Sequence, residues 1–161
     1  MKKFILTIIT LFVMASAVFA EGVILQGGVS IDKVPKSLYG EWRVSASLIS
    51  TNSPYTFKES SLDLWNLSRV GNVVTLENPF NGAKSSITIN KAEGNLIKFK
   101  KIGNYDGKIL SDVVQLTLSK DRFVGTNYLT IQTLSASKTL LKSERATYKI
   151  YGEKIAGSSI K

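Results

Sequence analysis

The chain contains neither cysteine nor histidine among its 161 residues. Without cysteine no disulfide framework can form, so a hydrophobic core and backbone hydrogen bonds must hold the fold. Lacking both residue types, the chain cannot use a Ser-His-Asp or Cys-His nucleophile, or the usual zinc and copper sites. No glycine-rich loop precedes a helix, so the sequence offers no phosphate cradle.

Long apolar runs are also missing, apart from one at the N-terminus. Residues 1–20 carry two lysines, then an uncharged apolar run from Phe4, then small residues at positions 18 and 20 before Glu21. This tripartite pattern predicts a secretory signal peptide cleaved after Ala20. The alternative is an uncleaved anchor, but the run is short for a span of ~20 residues and lacks a basic flank. We expect an exported protein, periplasmic or secreted, with no transmembrane segment after cleavage.

From Gly40 onward, apolar and polar residues alternate with a period of two. In "SLYGEWRVSASLIS" (37–50), one face carries Trp42, Val44, Ala46 and Leu48, and polar residues fall on the other. This pattern predicts a half-buried β-strand. Seven further strands are predicted after it, over 60–70, 73–78, 85–90, 96–101, 110–119, 122–134 and 145–152. Within 60–70 the apolar phase changes between Leu64 and Trp65, which predicts a β-bulge.

Eight short strands with evenly spaced turn signals predict an all-β fold, an eight-stranded antiparallel up-and-down β-barrel. Short links favour sequential antiparallel neighbours, and closure removes exposed edges. The predicted organisation is a signal peptide over 1–20, a leading segment over 21–37, the barrel domain over 38–157 and a tail over 158–161.

The triplet Gly40-Glu41-Trp42, at the start of the first of eight strands, resembles the lipocalin signature within the wider group of lipocalin-like (calycin) barrels. The whole strand pattern is similar to a reduced, bacterial form of that family. The resemblance implies that Trp42 closes one barrel end as a structural plug. It also implies that Arg145, or failing that Lys149, packs against the Trp42 ring, and we expect Arg43 to point to solvent.

By the same resemblance, the chain is expected to bind a small apolar or amphipathic ligand. The sequence leaves open whether the barrel interior is hollow or filled by side chains. Eleven residues are candidates for the inward-facing, ligand-binding set: Val44, Leu48, Leu64, Ile87, Ile89, Phe99, Asp112, Val114, Leu116, Tyr128 and Tyr148.

The alternative function is an envelope interaction or structural module with a packed interior that acts through its outer surface. The chain has a net charge of +9, and Lys98, Lys100 and Lys101 form a candidate patch for an anionic envelope surface. A solvated outer strand face explains the same lysines. Trp65 is the candidate exposed aromatic residue. An exported location and scattered aromatic residues disfavour nucleic acid as a partner.

Among the acidic residues, Asp112 alone is in phase with apolar neighbours, namely Val114 and Leu116. A carboxylate enzyme built around Asp112 is therefore the third hypothesis. We expect the other carboxylates to be solvated. The sequence predicts no enzyme activity, no catalytic residue, no cofactor and no metal site.

Overall fold

Two short 3₁₀ turns and eight β-strands make up the part of the chain that the computed structural model describes, residues 29–105 and 107–157. The turns are Ile31–Lys33 and Lys36–Leu38. The strands are β1 (Gly40–Thr51), β2 (Ser60–Val70), β3 (Val73–Asn78), β4 (Ala83–Glu93), β5 (Leu96–Tyr105), β6 (Lys108–Ser119), β7 (Arg122–Leu134) and β8 (Leu140–Ala156). The predicted signal peptide, the start of the leading segment and the tail lie outside the described residues.

Each strand pairs antiparallel with its neighbour in sequence, and β1 also pairs with β8, so the sheet closes on itself. The predicted all-β, eight-stranded, up-and-down barrel is therefore confirmed. Closure gives every strand two neighbours, and the side chains of each strand alternate between the interior and the outer face. In β1, for example, Trp42 and Val44 are buried whereas Arg43 and Ser45 are exposed.

The two ends of the barrel differ in their connections. Tight turns follow β2, β4 and β6, and Gly71 and Gly94 each adopt a φ of +58° there. A positive φ is the conformation that glycine adopts without steric cost. We call this the closed end, because the two 3₁₀ turns also lie against it. The longer links over 52–59, 79–82 and 135–139 lie at the opposite end, which we call the open end.

The packed core occupies the closed half of the barrel. Ile31 and Leu38 of the 3₁₀ turns, and Val34 between the turns, are buried in the core. Inside the barrel, Trp42 and Phe123 contact each other with ring centroids 5.0 Å apart. Buried aliphatic residues surround this pair: Leu67, Val74, Ile97, Leu116, Leu118 and Ile150. Apolar burial on this scale is the main stabilising term available to a chain without cysteine.

The predicted bulge in β2 is wrong. The pairing of β2 runs without a register shift along both β1 and β3. Trp65 and Leu67 face the interior, while Leu64 pairs with Arg43 on the outer face. The apparent change of phase arises because β2 carries leucine on both faces, and isolated apolar residues on a protein surface are ordinary.

The barrel wall has an opening between β4 and β5. Pairing between these strands covers Thr88–Glu93 and Leu96–Lys100. The first half of β4, over 83–87, pairs with β3 instead. The last half of β5, over 101–105, pairs with β6. Towards the open end the two strands therefore separate, and the interior is accessible from the side as well as from the top.

Candidate functional site

Trp42 seals the closed end of the barrel. Its side chain is fully buried, and its indole Nε1 donates a hydrogen bond of 2.9 Å to the Leu38 carbonyl. The Lys154 Nζ lies 5.0 Å from the ring centroid and also donates to the Ser37 carbonyl at 2.7 Å. Burial lowers the pKa of Lys154. The burial of Trp42 is as predicted, and Arg43 is exposed with Glu153 as its ion-pair partner.

The predicted partner of the Trp42 ring is wrong, because neither Arg145 nor Lys149 reaches it. In an antiparallel pair the start of one strand lies beside the end of the other. Trp42, near the start of β1, is accordingly in register with Lys154, near the end of β8. Arg145 is exposed at the open end, where its carbonyl accepts a hydrogen bond of 2.8 Å from the Thr51 hydroxyl.

Two adjacent pockets occupy the open half of the barrel. One has a volume of about 420 Å³ and the other about 400 Å³. Leu110 of β6 lines both, so the two pockets adjoin at this side chain. We call the first the polar lobe and the second the apolar lobe. Both volumes fall within the range of small-molecule sites in proteins.

The polar lobe lies at the wall opening between β4 and β5. Its lining is Asp63, Trp65, Leu76, Asn78, Asn81, Ala83, Lys84, Ser85, Lys101, Ile102, Gly103 and Leu110. The Asp63 Oδ1 accepts hydrogen bonds from the Leu64 backbone N–H at 3.0 Å and from the Asn78 side-chain amide. The lobe thus presents carboxylate, amide, hydroxyl and ammonium groups together, beside one edge of an aromatic ring.

A partly buried ion pair lies beside the polar lobe, which Lys101 lines. The Lys101 Nζ lies 3.4 Å from the Asp112 Oδ2. Asp112 is only 8 % exposed, so it faces inward as its phase predicted. Burial raises the pKa of Asp112, and the Lys101 ammonium opposes that rise. The Asp112 Oδ1 and the nearby Asn127 Oδ1 are both buried without a hydrogen-bond partner among the described residues, which is a costly arrangement for polar groups.

The apolar lobe lies on the other side of Leu110, beneath the link between β1 and β2. Its lining combines apolar residues with a few polar ones: Ala46, Phe57, Leu110, Leu129, Ile131 and Tyr148, together with Thr56, Lys58, Ser61 and Asn127. The Tyr148 hydroxyl donates a hydrogen bond of 3.0 Å to the Lys58 carbonyl. This bond gives the polar end of the tyrosine a backbone partner within the lobe's lining.

Glu144 fixes the link over the apolar lobe. The hydroxyls of Ser53 and Thr56 each donate a hydrogen bond of 2.6 Å to the Glu144 Oε1, and the Lys142 Nζ lies 2.8 Å from the same atom. These contacts, that of Lys142 first, lower the pKa of Glu144 to about 2. The carboxylate is therefore charged at neutral pH and holds Phe57, which is buried, above the pocket.

The predicted interior residues have different locations. Buried positions are occupied by Val44, Ile87, Ile89, Phe99, Asp112, Val114, Leu116 and Tyr148, while Leu48 is half-buried against the core. Tyr148 lines the apolar lobe, whereas the aliphatic members of the set fill the barrel. The predictions that Leu64 and Tyr128 face the interior are wrong. Leu64 faces outward, and Tyr128 is 49 % exposed because the inward phase of β7 is set by Phe123, Leu129 and Ile131.

Several pocket residues were missed by the sequence analysis. Leu129 and Ile131 are an even number of residues from Phe123, so a phase counted from that aromatic residue would have found both. Asn127 shares the phase, but a polar residue gives no apolar signal. Phe57 lies in a link, where no periodicity applies. Leu110 was within a predicted strand but at its end.

The candidate lysine patch divides between two faces. Lys98 and Lys100 alternate with the buried Ile97 and Phe99 and lie half-buried on the outer face, whereas Lys101 turns inward to Asp112. The grouping of all three lysines is therefore wrong, because side chains alternate along a strand. Trp65 is also not an exposed aromatic residue, since it is buried against Phe99 and Phe123.

Within 29–105 and 107–157, no group of three or more acidic residues is arranged to hold a metal ion. Among the helices of that same part of the chain, none has the length and apolar character needed to cross a membrane. Comparison of the chain with protein-family models, with curated proteins and with solved structures gave no significant match.

Proposed function

We propose that this protein is an exported carrier or sensor that binds one amphipathic small molecule in the open half of its barrel. The apolar lobe takes the tail and the polar lobe takes the head group. The single observation that carries the proposal is the adjacency of the two lobes across Leu110, in a barrel whose other half is filled. The similarity to lipocalins supports it by fold analogy, as does a plugged end opposite the pocket.

The lining of the polar lobe favours a neutral, hydroxyl-rich head group. Lys101 pairs with Asp112, and Lys84 lies 3.6 Å from Glu77. Both lysines that line the polar lobe therefore have an acidic partner other than Asp63. An anionic head group would therefore meet the Asp63 carboxylate in a partly enclosed site. Hydroxyl groups both donate and accept, so they match the mixture of Asn78, Ser85 and Asp63.

Binding, and not catalysis, is the activity that we propose. The strongest candidate for acid–base chemistry, Asp112, has Lys101 as its ion-pair partner and Asp63 as a weaker like-charged neighbour. Asp112 lines neither lobe. A second carboxylate beside a reacting bond is what glycoside-type chemistry requires. Asp63 is held instead by Asn78 and the backbone of Leu64.

Octyl glucoside and methyl glucoside form a matched pair of test ligands, since both have the same head group and differ only in their tails. We expect octyl glucoside, titrated calorimetrically below its micelle-forming concentration, to bind at least roughly 100-fold more tightly than methyl glucoside. The reason is that each buried methylene contributes about 0.8 kcal/mol. Replacing Ile131 with aspartate in the apolar lobe should weaken octyl glucoside binding by roughly ten-fold or more.

Val124→Asp is the matched control for this variant. It places the same carboxylate on β7, but at an outer-face position that is already 52 % exposed. The control should bind like the unmodified chain. Absence of saturable binding to the folded protein would overturn the proposal, and equal affinity for the two glucosides would replace it with a site for the head group alone.

The alternative, an envelope module with a packed interior, loses two of its supports. The open half holds two pockets, and Trp65 and Lys101 are not on the outer surface. The half-buried Lys98 and Lys100 are the part of the candidate anionic-surface patch that stays on the outer face.

A further inference from the structure

Large apolar side chains are exposed around the open end of the barrel. Tyr55 in the link over 52–59 is fully exposed, and Phe80 in the link over 79–82 is 69 % exposed. Four more exposed apolar residues lie on the adjoining strand ends: Ile49, Leu62, Leu140 and Leu141. We call these six residues the apolar rim. Single exposed apolar residues are ordinary, but several at one end of a molecule indicate an interaction surface.

The same end carries an excess of positive charge. Six cationic residues are exposed there: Lys58, Lys84, Lys108, Lys138, Lys142 and Arg145. Among the described residues of that end, the acidic side chains are Glu59, Asp63, Glu77, Asp112 and Glu144. Three of them, Glu77, Asp112 and Glu144, lie within 4 Å of Lys84, Lys101 and Lys142. The rim is therefore surrounded by cations that outnumber its anions.

The closed end has a different character. Some of its cations are in ion pairs, namely Arg43 with Glu153, Arg69 with Asp32, and Lys91 with Glu93. Others are exposed, such as Lys33, Lys36, Lys120 and Arg122. The described residues of this end include no exposed aromatic side chain. Among the described residues, the open end is thus the only end that combines exposed positive charge with exposed aromatic residues on loop tips. That is also the end at which the two lobes open.

We propose that the apolar rim docks on the surface of an anionic lipid bilayer. Tyr55 and Phe80 would lie at the level of the lipid head groups, where amphipathic and aromatic side chains are favoured. The surrounding lysines would lie against the lipid phosphates, and their aliphatic stems would lie along the apolar surface. Docking in this orientation brings both lobes to face the membrane, from which an amphipathic ligand could be collected.

A bilayer fits this surface better than a second copy of the chain does. Two rims facing each other would bring their excess cations together, and like charges across an interface are unfavourable. An anionic bilayer supplies both the negative charge and the apolar layer that the rim needs. The inference rests on the exposed residues themselves and stands whether or not the lobes bind the test ligands.

Co-sedimentation with lipid vesicles tests the docking surface. The chain should begin at Glu21, so that the apolar run of residues 1–20 cannot itself insert, and residues 29–157 still contain all eight strands. We expect vesicles of phosphatidylcholine with about one-third phosphatidylglycerol to bind roughly ten-fold or more tightly than pure phosphatidylcholine vesicles. High salt should reduce the difference, because it screens exposed charges.

Paired variants separate the rim from the rest of the surface. Tyr55→Ser with Phe80→Ser should weaken binding to the anionic vesicles by roughly ten-fold, and Lys108→Glu with Lys138→Glu by a similar factor. The matched controls are at the closed end. Val70→Ser with Val73→Ser removes exposed apolar residues, and Lys33→Glu with Lys36→Glu reverses exposed charges. Both controls should bind like the unmodified chain.

Three results would overturn the proposal. Equal binding to neutral and anionic vesicles would contradict the role of charge, and equal losses in rim and control variants would contradict the location. Concentration-dependent dimerisation in sedimentation velocity, abolished by Tyr55→Ser with Phe80→Ser and without any vesicle binding, would identify the rim as a self-association surface instead.

Discussion

Replacing Trp42 with alanine is expected to lower the free energy of unfolding by roughly 3–5 kcal/mol. The side chain is fully buried and packs against Phe123. Removing it would leave a cavity at the closed end and would deprive the Leu38 carbonyl of its hydrogen bond. It would also leave the partly buried Lys154 ammonium without the ring. Urea or guanidinium denaturation followed by far-ultraviolet circular dichroism measures the loss.

Trp42→Phe is the control for this prediction. Phenylalanine keeps an aromatic ring in the packed end but lacks the indole N–H, so we expect a smaller loss of about 1–2 kcal/mol. If Trp42→Ala cost no more than the phenylalanine variant, the residue would not be the plug of the barrel. The account of the closed end would then be incorrect.

A second large effect is expected when Gly152 of β8 is replaced with valine. A Cβ built on Gly152 would lie 2.2 Å from Phe123 Cε1 and 2.3 Å from its Cζ. Phe123 cannot easily move aside, because it is packed against both Trp42 and Trp65. Overpacking of a filled core costs roughly 1–3 kcal/mol and occasionally more, and we expect the upper part of that range. The same denaturation experiment measures it.

Gly103→Ala provides the comparison. Gly103 is also a strand glycine, in β5, but a Cβ added there would meet nothing within 4 Å. Its substitution should change stability by no more than about 0.5 kcal/mol. Equal effects at Gly152 and Gly103 would show that the Phe123 ring does not fill the space over Gly152, which would contradict the packed closed half.

The architecture of the barrel could be predicted because it depends on local signals. Alternation in "EWRVSASL" and the turn residues Gly71, Gly94 and Lys120 are visible in the sequence and act over a few neighbouring residues. Short links then leave antiparallel neighbours as the simplest arrangement. Strand lengths were less predictable. For example, β8 runs over 140–156 and not 145–152, since pairing with β7 and β1 extends it beyond its apolar core.

Inward and outward faces could not be assigned wherever apolar residues occupy both. Leu64 and Tyr128 were given to the interior because each lies near other apolar residues, but the barrel register places both outside. The error at Arg145 has another origin. It came from assigning a cation to the start of the last strand, although antiparallel closure requires the end of β8, and hence Lys154, to lie beside Trp42.

The candidate site itself depends on features that no local pattern encodes. The polar lobe exists because β3 ends at Asn78 and because β4 and β5 are not paired towards the open end. That part precedes Thr88 in β4 and follows Lys100 in β5. The apolar lobe depends on the link over 52–59, which hydrogen bonds from Ser53 and Thr56 to Glu144 hold in place. Glu144 is more than 80 residues away in the sequence. Three residues that share the phase of buried neighbours, Ala46, Asp112 and Tyr148, were predicted on the inward face and lie in or beside the lobes.

Nuclear magnetic resonance with methyl and indole labelling, during titration with octyl glucoside, shows directly whether the open half holds a ligand and the closed half does not. We predict saturable chemical-shift changes at the methyl groups of Leu110, Leu129 and Ile131 and at the Trp65 indole, which line the two lobes. The methyl groups of Ile97 and Leu118, buried in the closed half, should not shift. Shifts confined to the closed half or to the outer face, or no saturable shift at the lobes, would contradict the account.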